Sequence, residues 1–194
     1  MSRAETQTGA LPCIRYGELY TVHSDCIREF HSWISPEVAE GATGLRTGDV
    51  VFAASGETKE DIGRSAAYVG SEEAYAGGDI LVLRQDEALP LFLGYALNAP
   101  PVARQKASLG QGDAVVHIGV AALSRITVEL PPLPEQRAIA TVLADMDDEI
   151  EALAQRVEKL RAVKRGMMQQ LLTGCIRLPR TPEAADRDRE AADA

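Results

Sequence analysis

The chain is short of cysteine, of aromatic side chains and of positive charge. Its three cysteines, Cys13, Cys26 and Cys175, form no CxxC pair and no even set. That argues against a disulfide framework and against a ribbon-type zinc site. Reduced thiols in a cytoplasmic protein are the expectation. No apolar run approaches the roughly 20 residues of a membrane-crossing helix, and no secretory pattern is visible at the N-terminus. No membrane partner is expected. Phosphate-cradling motifs are missing too: there is no P-loop and no GxGxxG. Asn98-Ala99-Pro100-Pro101 is not the Asn/Asp-Pro-Pro-aromatic motif of amino-methyltransferases. No Ser-His-Asp set or paired carboxylates can be argued from spacing. We therefore expect no catalytic residue, no cofactor and no metal, and read the chain as a recognition and assembly module.

Charge is the most awkward shortage. Twenty Lys and Arg face 29 Asp and Glu, for a net charge of -9 over 194 residues. Residues 1–130 hold 10 basic and 17 acidic side chains, a net of -7, whereas residues 131–178 balance at 7 and 7. Proteins that hold nucleic acid alone usually carry a basic face. Composition by itself does not propose DNA.

What the sequence does have is one long helical signal. Ile139, Leu143, Met146, Ile150, Leu153, Val157, Leu160, Lys164, Met167 and Leu171 recur in alternating steps of three and four. Only Lys164 departs from apolar character. This is an a/d seam, the pattern of a coiled coil. Leu130-Pro131-Pro132-Leu133-Pro134 marks the start, because prolines lack the donors of a helix interior. Glu135 suits the positive end of the helix dipole, and Gly174 suits a left-handed C-cap. The helix should be roughly 60 Å long at about 1.5 Å per residue. A stripe of that length must bury itself against something. No second helix this long is visible, so Leu143, Met146, Ile150, Leu153, Val157 and Leu160 are expected to form a homodimer seam or to meet a different subunit.

Two motifs bracket that helix. Leu130 to Ala140 (LPPLPEQRAIA) resembles the start, and Lys164 to Gly174 (KRGMMQQLLTG) the end, of the conserved helix in specificity subunits of type I restriction-modification systems. Ile14 to Tyr20 (IRYGELY) is similar to the segment that opens the family's target-recognition domain. The resemblance covers residues 11–178 or so. It implies an α+β chain: a mixed α/β target-recognition domain over residues 1–130, a spacer and dimerisation helix over 131–174, and a polar tail over 175–194. Members of the family usually carry two recognition domains and two such helices. One of each here implies a half-subunit, and the segment before Arg15-Tyr16-Gly17 is short relative to the family. The resemblance also implies partners: DNA, methyltransferase subunits that clamp it, and a restriction subunit through the complex. The runner-up is a coiled-coil interaction or regulatory protein derived from such a subunit, without DNA binding of its own.

Within the first domain, residues 1–10 are polar and small and expected to be disordered. Residues 12–22 suggest a strand pair, or a strand turning at Gly17. Gly48-Asp49 feeds a buried strand at Val50–Ala54, and Gly77-Gly78-Asp79 another at Ile80–Leu83. Leu89–Asn98 is apolar at helical spacing and reads as a short packed helix; Pro100 and Pro101 break it, and Val102–Ala107 reads as the start of a second short helix. Ala114–Ile118 reads as a strand, and Leu123–Leu130 closes the domain with Ile126, Val128 and Leu130 on one face. Residues 179–194 are charged and alanine-rich, a loose tail.

The candidate readers of DNA are Lys59, Arg64 and Gln111. The first two lie in the polar, glycine-bracketed loop Ser55–Arg64 between strands, a common place for recognition. Gln111 lies in the Gly110–Asp113 turn, where an amide can read adenine or where glycine alone is needed. Three blander or rival readings stand beside these. Cys13, His23, Cys26 and His31 could be assembled as zinc ligands, although the spacing is no familiar finger. Asp49 with Glu57-Thr58-Lys59 fits the short D…ExK pattern of a metal nuclease. His117 reads as a half-buried, satisfied strand histidine.

Overall fold

The computed structural model describes residues 9–178; of the ends expected to be loose, 1–10 and 179–194, all but residues 9 and 10 lie outside them. Contacts divide the chain into two units, one ending at Val142 and one beginning at Leu143. The first unit is built from small sheets and short helices. In chain order its elements are β1 (Leu11–Ile14), α1 (Glu18–Thr21), β2 (Cys26–Ile27), β3 (Ser32–Ile34), α2 (Pro36–Ala39), β4 (Thr43–Leu45), β5 (Val50–Ala53) and β6 (Ser55–Gly56). There follow β7 (Ser65–Tyr68), β8 (Ala74–Ala76), β9 (Ile80–Leu83), α3 (Pro90–Asn98), α4 (Pro100–Leu109), β10 (Val116–His117) and α5 (Val120–Leu123). The long helix α6 (Leu133–Leu172) completes the described elements.

Two four-stranded sheets and one ribbon result. The first sheet runs β3-β1-β8-β4 and the second β2-β7-β5-β9; β6 and β10 form an antiparallel ribbon. Each large sheet is mixed, with one parallel pair, β1 with β8 or β2 with β7. Strand β5 explains the layering. Its four residues are all buried and alternate between two cores, as a strand's period of two requires. Val51 and Ala53 join Ile14, Leu45, Ala66 and Tyr68. Val50 and Phe52 join Ala67 and the α3 residues Phe92, Leu93 and Leu97. So the second sheet lies between the first sheet and the helices. The continuous apolar run Val-Val-Phe-Ala is the sequence mark of a strand covered on both faces.

Three local expectations differ. The segment after Gly17 is helix α1, not strand. Leu19 is buried in the core, and the Glu18 carboxylate accepts the Arg15 amide at 3.0 Å, which stabilises the helix start. Ala114–Ile118 contains only the two-residue β10, because its partner β6 is equally short. Pro100 and Pro101 open α4 instead of preceding it, which fits proline's place in a first helical turn.

The start of α6 is fastened to the first unit. Gln136 is 2% exposed. Its Oε1 accepts the Leu89 amide at 2.8 Å and its Nε2 donates to the Pro131 carbonyl at 2.8 Å. Ala140 is buried in the core beside α3 and α4. The helix runs for 40 residues and stops where expected: Gly174 has φ 75°, and its amide reaches the Leu171 carbonyl at 3.2 Å. Beyond Leu143 the seam is bare. Met146, Ile150, Leu153, Val157 and Leu160 are all exposed, from 43% at Val157 to 64% at Ile150. Among the described residues no helix is long and apolar enough to cross a membrane.

Candidate nucleic-acid interface

The Ser55–Arg64 loop leaves the β6–β10 ribbon and returns as β7. Ser55 opposes His117 across the ribbon, and His117 opposes Gln111 through a backbone bridge, with bonds of 2.9 and 2.7 Å. The turn carrying Gln111 and the loop carrying Lys59 and Arg64 therefore grow from one small piece of sheet. Lys59 and Gln111 are exposed and Arg64 is partly exposed. His117 is exposed rather than half-buried, and its Nδ1 lies 2.9 Å from the Ser55 hydroxyl. Within the loop, Thr58 Oγ1 donates to Asp61 Oδ2 at 2.9 Å and accepts the Asp61 amide at 3.3 Å, a local turn that leaves Lys59 outward.

Beside the loop is an open cleft of about 670 Å³, lined by Tyr16, Tyr20, His23, Thr58, Asp61 and Arg64 among others. Lys59 and Gln111 are not part of its lining. The Tyr20 hydroxyl donates to the Ser55 carbonyl at 3.0 Å. Burial, with the charge of Asp61 adding, pushes Tyr20 up to about 12, so it stays a neutral donor. Beneath the cleft, Glu18 is buried; it accepts the Ser32 hydroxyl and lies 3.9 Å from His23 Nε2. Burial holds His23 below its ordinary value; His31 acts in the same direction and Glu18 opposes it.

Arg64 has the best-defined surroundings of the three candidates. Its guanidinium is 3.7 Å from Asp25 Oδ1. Asp25 is in turn held by Asn98, whose Nδ2 donates to Oδ1 at 2.7 Å and to the Ser65 carbonyl at 2.7 Å. Asn98 Oδ1 accepts the Ser65 amide at 3.1 Å and hydroxyl at 3.0 Å. The Asn-Ala-Pro-Pro segment thus serves as a brace under the root of the loop. Sequence reading missed this brace, and it missed Lys106, which is 2% exposed and donates to the Gly63 carbonyl at 2.6 Å. The available signal was position: Lys106 falls four residues after Val102, on the buried face of α4.

The two metal readings do not assemble. Cys13 is buried in the first sheet and Cys26 in the second, and burial pushes the Cys13 thiol up to about 11. Among the described residues no group of three or more His, Cys, Asp or Glu side chains is placed to hold a metal. Asp49 of the D…ExK pattern is 2% exposed and is engaged by Arg84 and by the Arg46 amide.

The described residues thus comprise a mixed α/β unit with a polar loop at one ribbon, and a long helix with an exposed apolar seam. The chain belongs to the family described as type I restriction modification DNA specificity domain, which matches residues 5–162. It is 31% identical over 137 residues to a putative type I restriction enzyme MjaX specificity subunit of Methanocaldococcus jannaschii, covering 66% of this chain and 31% of that protein. It is 34% identical over 83 residues to the type I restriction enzyme MjaVIII specificity subunit of the same organism, covering 43% and 19%. The fold is similar to the S subunit of the type I restriction-modification system of M. genitalium, with a TM-score of 0.56 at 14% identity over 88% of this chain and 40% of that one. It is likewise similar to the HsdS subunit of Thermoanaerobacter tengcongensis, with a TM-score of 0.51 at 22% identity over 82% and 39%. The chain spans less than a third of the length of these curated relatives.

Proposed function

We propose that the chain acts as a DNA specificity subunit of a type I restriction-modification system. One recognition domain reads one half-site, and the long helix pairs with a second copy and docks methyltransferase subunits, with a restriction subunit joining through the complex. The observation that carries this reading is the bare seam of α6 together with its charge order. Asp145, Asp147, Asp148, Glu149 and Glu151 crowd one end, while Arg156, Lys159, Arg161, Lys164 and Arg165 follow with only Glu158 among them.

That order favours an antiparallel pair. With Leu143 at an a position, a parallel pair would stack Lys164 on Lys164 and place Arg156 beside Arg161, like charge on like. An antiparallel pair opposes Leu143 to Met167, Met146 to Lys164, Ile150 to Leu160 and Leu153 to Val157. On one side of the seam the flanking acid Asp147 then faces the flanking base Arg161, twice by symmetry, while on the other side Glu149 faces Val163 and Arg156 meets its own copy. Shifting the register by one heptad either way shortens the seam or loses this charge match. A two-fold pair is isologous and presents two identical readers. The DNA target is then two inverted copies of one short half-site, about one to two turns apart at roughly 34–36 Å per turn.

The -7 charge of residues 1–130 supports delegation of most phosphate contacts to partner subunits. It equally favours the second reading, an interaction or regulatory protein without DNA binding. A mobility-shift assay at physiological salt separates the two. The chain alone should bind DNA weakly, and the chain with a methyltransferase subunit should bind one sequence tightly. Loss of all sequence preference in the mixed complex would favour the second reading.

A further inference from the structure

A lysine ammonium is seldom fully buried, because taking the charge out of water is costly without a partner. Lys106 is buried all the same, and its partner is the backbone at the root of the recognition loop: Nζ lies 2.6 Å from the Gly63 carbonyl. Gly63 is fitted to it. Its φ is +71°, and a Cβ there would stand 3.0 Å from Lys106 Cδ. The next residue is Arg64, whose amide reaches the Asp61 carbonyl at 3.2 Å and whose carbonyl accepts the Ala53 amide at 2.9 Å. The backbone leading into Arg64 is clamped on every side.

The side chain is treated differently. Its 3.7 Å approach to Asp25 is too long for a hydrogen bond, and the side chain is one-third exposed. We propose that Lys106 is a positioning residue for sequence reading: it fixes the Gly63–Arg64 backbone from beneath, so that Arg64 can exchange Asp25 for a DNA acceptor without the loop rearranging. This rests on the DNA-reading function proposed above. Burial, and then the nearby charge of Arg64, push Lys106 down to about 8, with Asp25 opposing.

A double-mutant cycle tests the assignment. The target is first defined by mapping methylated sites. Affinities for that duplex and for a scrambled duplex are then measured with the methyltransferase subunit present, below the unfolding range of every variant. Arg64→Gln should lower the cognate-to-scrambled ratio by roughly tenfold or more, the scale of one lost base contact. Lys106→Met keeps the stem and removes the donor, and should lower the ratio comparably. The double variant should read no lower than Arg64→Gln alone, because one change acts through the other. Lys106→Gln, which keeps a donor but not its reach, enters the same cycle if Lys106→Met does not fold. A full ratio in the Lys106 variant, or losses that multiply in the double variant, overturns the assignment alone. A wild-type complex with no site preference overturns the DNA reading, and this assignment with it.

Discussion

Arg84 grips Asp49 with two hydrogen bonds, Nε to Oδ1 at 2.9 Å and Nη2 to Oδ2 at 2.7 Å. The two residues extend the β5–β9 pairing by one step, beyond Val50 opposite Leu83. Asp49 also closes the Arg46–Asp49 turn, in which Gly48 takes φ 97°. One carboxylate thus holds a turn and an edge strand together. Burial alone would push it up, but Arg84, the Arg46 amide and the charges of both arginines hold it below the ordinary 3.8.

Arg84→Met should leave Asp49 buried with only its turn contact and cost about 1–3 kcal/mol, the penalty for an orphaned buried acceptor. A lowered carboxyl stabilises the fold fully above its unfolded value and loses that contribution as pH falls through the folded one. Urea melts from pH 7 downward should therefore show the wild type losing this increment below pH 3.8. In Arg84→Met that part of the acid dependence should shrink. Equal acid dependence in the two proteins would contradict the assigned role of the pair.

Asn98→Ala should destabilise the first unit by roughly 1–3 kcal/mol for each buried partner left unmatched. The Ser65 amide and Asp25 lose their shared anchor. Equilibrium unfolding measures the loss, and a change within about 0.5 kcal/mol would place Asn98 among ordinary surface sites.

Lys59→Ala and Gln111→Ala should leave stability within about 0.5 kcal/mol, as exposed substitutions do. On the proposed function their effect should appear in DNA binding measured with the methyltransferase subunit present. A phosphate contact by Lys59 would reduce the salt slope by about one, and a base contact by Gln111 would relax preference at one position. A large fall in stability for both would make them structural residues.

Purified chain with Mg²⁺ should leave duplex DNA uncut, because Asp49 is committed to Arg84 and the Arg46 amide. Cutting that vanishes in Glu57→Ala would restore the nuclease reading.

Much of this was legible in the sequence. The proline-rich start, the three-four repeat and Gly174 marked α6 to within two residues at each end, because helix caps and seams are local chemistry. The run Val50–Ala54 marked the strand between the layers for the same reason. What could not be read is long-range. The Asn98 brace joins residues 33 and 73 positions apart, and the Lys106 contact spans 43. No periodicity encodes such pairs. The segment after Gly17 misled because Tyr20, Thr21 and Val22 favour strands, whereas burial of Leu19 in the core selects one turn of helix there.

Two copies of the chain are proposed to pair through the seam of α6. Each buried leucine, isoleucine or valine there contributes about 1.5–3 kcal/mol. Sedimentation equilibrium of the full chain, with and without the double substitution Ile150→Asp and Val157→Asp, tests it most directly. The wild type should sediment as a dimer at low micromolar concentration and the variant as a folded monomer. A wild type that remains monomeric at tens of micromolar would contradict it.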